Sequence, residues 1–355
     1  MVELRILLGG AGGAPTNNVI KSLKQGGSDD VLVGMCSVPS DLLLADVSEC
    51  HVVPYATSEG YRKGLFEIIE KGKPDLLYPA HDFEVRAVSR LREEITAANV
   101  KLYLPAAETI ENCVDKGKSY QIWKSAGVPV PETLLVSDHQ ELKNAFEKFG
   151  GKVWLRATEG GGGRGALPIE DTSHYEFACR WVERFNGWGS FTAAEMLTSR
   201  SVTWLSIWYR GELVVAQGRA RRSWNFGDRT LSGVTGVTGV AETCSDADVT
   251  RVALDAIEAI DPQPHGIFAV DMTYDQGGRP RVTEINIGRF FTTVYFFAKA
   301  GVNFPQIYRD IALENKFPDL ERKINPLPDG LVWIRGMDVE PVLTTTAELE
   351  QLTNV

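Results

Sequence analysis

Apolar and polar positions follow two rhythms over the first hundred residues. Short apolar runs in "LRILLGG", "DVLVGMCSV", "CHVVPYA" and "PDLLYPAHD" read as four strands, the first of them buried. Helical stretches lie between several of them, the first with Val19, Ile20 and Leu23 on one face. Strands alternating with helices predict a parallel sheet with helices packed on it. Further on, a helix around Lys118 to Ser125 stops at Gly127, Pro129 and Pro131 follow, and a second unit begins. Within it, "HGIFAVDMTYDQGGRPRVTEINIGRF" predicts two strands joined by the turn "DQGGRP". From Pro326 the chain is proline-rich and then acidic, with a final strand, "GLVWIRGM", before a frayed end.

Composition narrows the class. A chain of 355 residues is too long for one ordinary core, and roughly 150 residues per domain implies two or three. The net charge of −10 argues against a nucleic-acid partner, but a local arginine cluster can still dominate its own cleft and hold a small anion. Cys36, Cys50, Cys113, Cys179 and Cys244 lie far apart without a CxxC pair, which reads as reduced buried thiols in a cytoplasmic protein. The five histidines form no HExxH, so a histidine metal site has little support. The opening apolar run is too short for a signal segment, and no stretch approaches the roughly 18 apolar residues of a membrane span, so no membrane partner is expected.

Ligands of parallel sheets sit beyond the carboxyl ends of the strands, where Gly9 to Gly13, His81, Asp82 and Glu84 would line a crevice. For Asp82 and Glu84 a solvated, acid-capped helix start is equally open. A dinucleotide fingerprint in "GGAGGA" is weaker, because no acidic residue ends the second strand to hold a ribose. Four glycines in "VWLRATEGGGGRGALPIE" allow backbone amides to approach phosphate oxygens closely. A Walker loop fails for want of Lys-Ser or Lys-Thr, and a plain flexible hairpin remains the alternative. In the late hairpin, period-two alternation puts Glu284 and Asn286 on one face with Asp271 opposite them, a donor set that suits Mg²⁺ with phosphate and water; Arg289 follows within reach of a transferred phosphoryl group. A salt-bridged surface hairpin is the bland alternative. On "AQGRARRSWNF", Arg219 and Arg221 share a face suited to an acidic acceptor, and Arg222 is on the solvated side. The loop "SGVTGVTG" lies over the acceptor or is a surface linker, and Trp181, Trp188, Trp204, Trp208 and Trp224 read mainly as packing.

The order of "DKGKSYQIWKSAGVPVPET", "VWLRATEGGGGRGA", "AAEML", "AQGRARRSWNF", "GIFAVDM" and "TEINIGR" resembles the ATP-grasp enzymes of the carbamoyl-phosphate-synthetase large-chain-like group, from about residue 1 to about residue 315. The resemblance implies an α/β and α+β chain, with a Rossmann-like pre-ATP-grasp domain over 1–107 followed by a two-subdomain ATP-grasp fold. Its small subdomain covers 108–190, its central subdomain 191–325, and a C-terminal strand and tail 326–355. It also implies that Lys116 and Arg156 meet ATP phosphates, that Gly160, Gly161, Gly162 and Gly163 form the mobile lid, and that Glu195, Met196 and Leu197 form the adenine hinge. Asp271, Glu284 and Asn286 would hold Mg²⁺ or Mn²⁺, with Arg289, Arg221 and Arg219 as catalytic candidates. Two departures stand out: "TSRSVTW" has no acidic residue for the ribose, and the usual Glu-x-Asn-Pro-Arg ending is Glu284-Ile-Asn286-Ile-Gly-Arg289. The implied activity is an ATP-dependent ligation of a small-molecule carboxylate to an amine, or to a thiol, through an acyl phosphate, in a homodimer; a non-catalytic nucleotide-binding module and a nicotinamide oxidoreductase are the alternatives.

Overall fold

The computed structural model describes residues 4–160, 163, 165–185, 187–337 and 340–348. Strands β1 (Arg5–Leu8), β2 (Val31–Cys36), β3 (Glu49–Val52) and β4 (Leu76–Tyr78) form a parallel sheet in the order β3-β2-β1-β4. Both faces of β1 are covered, as its unbroken apolar run demands. Leu7 packs with Leu65 and Ile69 of one helix, whereas Ile6 and Leu8 pack with Val19, Ile20 and Leu23 of the helix Ala14–Gln25.

The glycine turn after β1 is filled by the protein itself. A Cβ on Gly12, whose φ is +91°, would lie 1.8 Å from the Asp41 carbonyl oxygen, and one on Gly9 would lie 2.0 Å from the Glu84 carboxylate. These glycines admit neighbouring protein groups: each lacks a Cβ because the protein itself fills that position.

A second, four-stranded sheet has the order β5 (Thr133–Val136), β8 (Phe191–Glu195), β6 (Val153–Ala157), β7 (Leu167–Ile169). Its core, including Val136, Phe146, Leu155, Val182 and Phe191, is a cluster of its own. The third sheet has seven strands, in the order β13 (Pro280–Ile287), β12 (Gly266–Tyr274), β9 (Ser201–Tyr209), β10 (Glu212–Trp224), β11 (Thr238–Cys244), β14 (Leu331–Ile334), β15 (Val342–Thr345), every pair antiparallel.

Two elements cross the divisions drawn from sequence. Residues 191–195 pair with β5 and β6 of the small sheet, and the strand after Pro326 pairs with β11 of the large one. The end expected to fray contributes β15, whose Thr345 pairs with Leu331. The first and third sheets share their cores. Leu7, Val33 and Leu77 cluster with Val202, Phe268 and Ile285, and Tyr78 stacks on Phe290 with its hydroxyl oxygen accepting the Phe290 N–H at 2.9 Å. Among the described residues no helix is long and apolar enough to cross a membrane.

Candidate active site

A cavity of about 600 Å³ opens between the small sheet and the large one, within the size range of ligand pockets. Its floor comes from the hairpin β12–β13, whose register sets Asp271 directly opposite Glu284. Thr283 is the extra residue of a bulge: Asp271 pairs with Glu284 and the next pair is Met272 with Val282. The Thr283 hydroxyl donates to the Asp271 carbonyl oxygen at 3.0 Å and secures this kink. Ile285 and Ile287 are buried on the other face, so alternation turns Glu284 into the cavity wall and not into open solvent; Asn286, on the same face, lies beyond that wall and donates to Asp271 Oδ2 at 2.9 Å.

Lys116 opens the helix Lys116–Ser125, and Asp115 caps that helix by accepting the N–H groups of Gly117 and Lys118. The cap aims a buried ammonium across the cleft. Lys116 Nζ donates to the Gly160 carbonyl oxygen at 2.6 Å and stands 3.4 Å from Glu284 Oε2. Arg156, on β6, reaches the same carboxylate from the small sheet at 3.9 Å and donates to the Thr283 carbonyl oxygen. Burial pushes the Glu284 pKa up, but Lys116 and Arg156 together outweigh it and hold the group below the ordinary carboxylate range.

The lid residues Gly160 and Gly163 have φ of +96° and +71°. A Cβ on Gly163 would sit 2.9 Å from the Val234 carbonyl oxygen, so the lid meets the loop expected to cover the acceptor. Gly161 and Gly162 lie outside the described residues. That loop lines the cavity through Ser232, Gly233 and Val234. At the hinge, Met196 and Leu197 also line it. Glu195 is tied to Glu132 twice: its N–H donates to the Glu132 carbonyl oxygen, and its Oε1 accepts the Glu132 N–H, both at 3.0 Å. Thr198, Ser199 and Ser201 present hydroxyls at the exit of the hinge, where the acidic residue is missing.

The three candidate catalytic arginines part company. Arg221 lines the cavity, lies over the Trp224 ring at 3.7 Å, and donates to Ser201 and Thr238 at 2.7 and 3.1 Å. Arg219 is 1% exposed and lies behind it, hydrogen-bonded to the hydroxyls of Thr203, Thr238 and Thr293. Burial, with the nearby Arg221 charge adding to it, lowers the Arg219 pKa to about 9. Arg289, like Asn286, stands outside the cavity wall: its Nε donates to Asp82 Oδ1 at 2.7 Å and its Nη2 to Asn286 Oδ1. Arg222 pairs with Glu242 at 2.7 Å and lines the outer cavity, so its half-exposed face is not merely solvated.

Sequence reasoning missed several partners. Asp82 is an ion-pair partner of Arg289 and Glu84 is 3% exposed, so neither belongs to a solvated helix start. Arg86 joins Glu159, at the root of the lid, to the front sheet's helix at 3.2 Å. Thr203 faces Asp271 only because β9 pairs with β12 at that register. Among the tryptophans, Trp204 and Trp208 are core and Trp224 alone of the five lines the cavity. Cys36, Cys113 and Cys179 are buried free thiols, whereas Cys50 is exposed.

No protein-family model matches the chain. It is 35% identical over 118 residues to a pyruvate carboxylase subunit from Methanothermobacter thermautotrophicus, covering 32% of this chain and 24% of that one. Against the carbamoyl phosphate synthase large chain of Pyrococcus furiosus it is 24% identical over 213 residues, 58% of this chain and 19% of the other. The chain therefore spans a quarter or less of the length of these curated relatives. Biotin carboxylase from Campylobacter jejuni, solved as a β,γ-ATP complex, superposes with a TM-score of 0.71 at 20% identity, over 93% of this chain and 75% of that one. N5-carboxyaminoimidazole synthetase from Staphylococcus aureus gives 0.71 at 15% identity over 99% and 97%. An L-amino acid ligase from Bacillus licheniformis gives 0.66 at 15% identity over 93% and 79%. The architecture is that of the ATP-grasp proteins, as the order of motifs implied.

Proposed function

We propose that the protein is an ATP-dependent ligase that activates a small-molecule carboxylate as an acyl phosphate and joins it to an amine, with release of ADP and phosphate. The observation that carries this reading is the Lys116 bridge. One buried ammonium in the cavity wall touches both the Gly160 carbonyl oxygen, at the root of the glycine loop, and the carboxylate of Glu284 on the ribbon, which supports a lid hinged at this cavity. Names of the structural neighbours, a biotin carboxylase, a carboxyaminoimidazole synthetase and an amino acid ligase, support the same class.

The donor set fits a hard divalent cation: two cross-strand carboxylates, Asp271 and Glu284, and the carboxamide oxygen of Asn286, which keeps a second lone pair beside its bond to Arg289. Bound there, Mg²⁺ or Mn²⁺ would withdraw charge from phosphate oxygens. Lys116 and Arg156 bind and orient the phosphates, and Gly160 to Gly163 cover them, keeping water from an activated carboxylate. Met196, Leu197 and the hinge backbone take the adenine edge, and the hydroxyls of Thr198, Ser199 and Ser201 stand in for the missing ribose acid. Arg221 holds the acceptor carboxylate. Its Nη2 stands 3.9 Å from Asp271 Oδ1, beyond hydrogen-bond reach, and so retains donors for a ligand. A cytoplasmic homodimer is part of the same proposal.

ADP release measured with Mg·ATP against a panel of carboxylates and amines tests it. Turnover that requires both a carboxylate and an amine supports the ligase. Tight nucleotide binding with no turnover on any pair would instead mark a regulatory module.

A further inference from the structure

The Asp271 carboxylate is held at both oxygens by relays that end in arginines the cavity does not reach. On one side Arg219 Nη2 donates to the Thr203 hydroxyl at 2.7 Å, and that hydroxyl donates to Asp271 Oδ1. On the other, Arg289 Nη2 donates to Asn286 Oδ1, and Asn286 Nδ2 donates to Asp271 Oδ2 at 2.9 Å. The second relay continues outward: Arg289 Nε donates to Asp82 Oδ1 at 2.7 Å, and Asp82 is the first residue of the helix Asp82–Arg90, in the front sheet's unit. Arg289 and Asp82 are 13% and 17% exposed at their side chains, so the pair is shielded from water and from most salt screening.

We infer that Asp82 and Arg289 are positioning residues for the metal site, acting through Asn286, and that the front sheet thereby sets the geometry of the divalent-cation ligands. The inference rests on the ligase reading's assignment of Asp271, Glu284 and Asn286 to the cation. A primary amide has one end that accepts and one that donates, and the two ends are interchangeable by a half-turn. Here the turn is decided by its neighbours. Arg289 can only donate, so it selects the oxygen; the Asp271 carboxylate can only accept, so it selects the nitrogen. Without Arg289 the amide is free to present its NH₂ to the cation and repel it. Asp82 in turn fixes Arg289. It engages Nε while Nη2 reaches Asn286, a bridging use of the planar fork that a lysine, with one point of charge, cannot copy. Gly288, with φ of +69°, makes the turn after the ribbon, and Arg289 follows it against the front helix.

The test measures Mn²⁺ binding to the full-length protein by electron paramagnetic resonance, with and without a non-hydrolysable ATP analogue, alongside thermal unfolding. Outer partners of metal ligands are worth about 10- to 100-fold in metal affinity. Asp82→Asn is expected to weaken Mn²⁺ binding in the ternary complex by that factor, with metal-free analogue affinity near wild type and a lowered unfolding midpoint, since it leaves the Arg289 charge without its buried partner. Arg289→Lys is expected to give a similar loss although charge is conserved. Mn²⁺ affinity at the wild-type level in both folded variants overturns the inference while leaving the ligase reading intact. If the wild-type protein itself binds no Mn²⁺ with the analogue, the metal site and this inference fall together. Should Asp82→Asn unfold, Arg289→Lys alone decides: unchanged affinity refutes the positioning role.

Discussion

The small sheet and the front sheet are both four-stranded, yet they are joined to the large sheet in different ways. The front sheet is welded to it: Leu7 and Leu77 share a cluster with Phe268 and Ile285, Tyr78 stacks on Phe290, and Arg309 of the large sheet's neighbouring helix Phe304–Glu314 pairs with Asp30 at 2.7 Å. The small sheet keeps a core of its own around Phe191 and Leu155. It meets the rest across the cavity through polar contacts such as Lys116 to Gly160, Arg156 to Thr283 and Arg86 to Glu159. Contacts of this second kind can open without exposing a hydrophobic core, whereas parting the first kind would uncover apolar surface at roughly 25 cal/mol per Å². The cleft proposed to admit a nucleotide therefore lies between a body with a shared core and a sheet with a core of its own.

The strongest way to break this comparison is to cut a large side chain from each core. Phe290→Ala should destabilise the whole molecule by about 3–5 kcal/mol in denaturant titration, because Phe290 packs in the core that the front and large sheets share. Phe191→Ala, equally buried, should raise amide hydrogen exchange over 133–195 and leave the rest protected. Equal loosening of all three sheets would show that the small sheet is not a separate unit.

At the junction itself, Glu284→Gln removes the charge that Lys116 and Arg156 face. It should lower ADP release by about 10²- to 10³-fold, the range for one misplaced electrostatic group in an active site, with an unfolding midpoint close to wild type. Wild-type turnover would place the chemistry elsewhere.

A third test uses pH. Burial raises the Glu84 pKa from near 4.5 to about 7, against the opposing hydrogen bond from the Ala80 N–H. The folded state therefore holds a proton that the unfolded state has lost, and stability should fall as pH rises from about 4.5 to about 7, by about 3 kcal/mol, and level off above that. Glu84→Gln should flatten this slope in urea titrations across the same window. The smallest effect is expected at the lid's root, where Glu159→Gln removes the more exposed partner of Arg86 and leaves Arg86 its pair with Glu111 at 3.1 Å. Stability should change by about 1 kcal/mol or less, and the readout that sharpens the comparison is the rate of lid closure on nucleotide binding, followed by stopped-flow tryptophan fluorescence from Trp154 and Trp224 in the cavity wall.

Local pattern carried much of this architecture. The apolar runs predicted β1 to β4, the turn "DQGGRP" predicted the hairpin, and alternation placed Asp271 against Glu284 before any pairing was known. It also predicted that Arg219 and Arg221 share a face, but not that the first would be sealed behind three threonines and the second left at the cavity. The strand β15 was illegible because its residues are half-buried and acquire their role only by pairing with β14.

By itself the sequence determined the order of elements and the carboxylates and cations that line the cleft, because these depend on residue type and on periods of two and about four along a chain. Only the tertiary structure decided that Asp82 would meet Arg289, separated by 207 positions, that Glu84 would fill the space under Gly9, and that one small sheet would keep its core to itself. Those outcomes depend on which faces are pressed together once the helices and strands are assembled, and a partner's identity across such a face leaves no trace in the spacing of either segment.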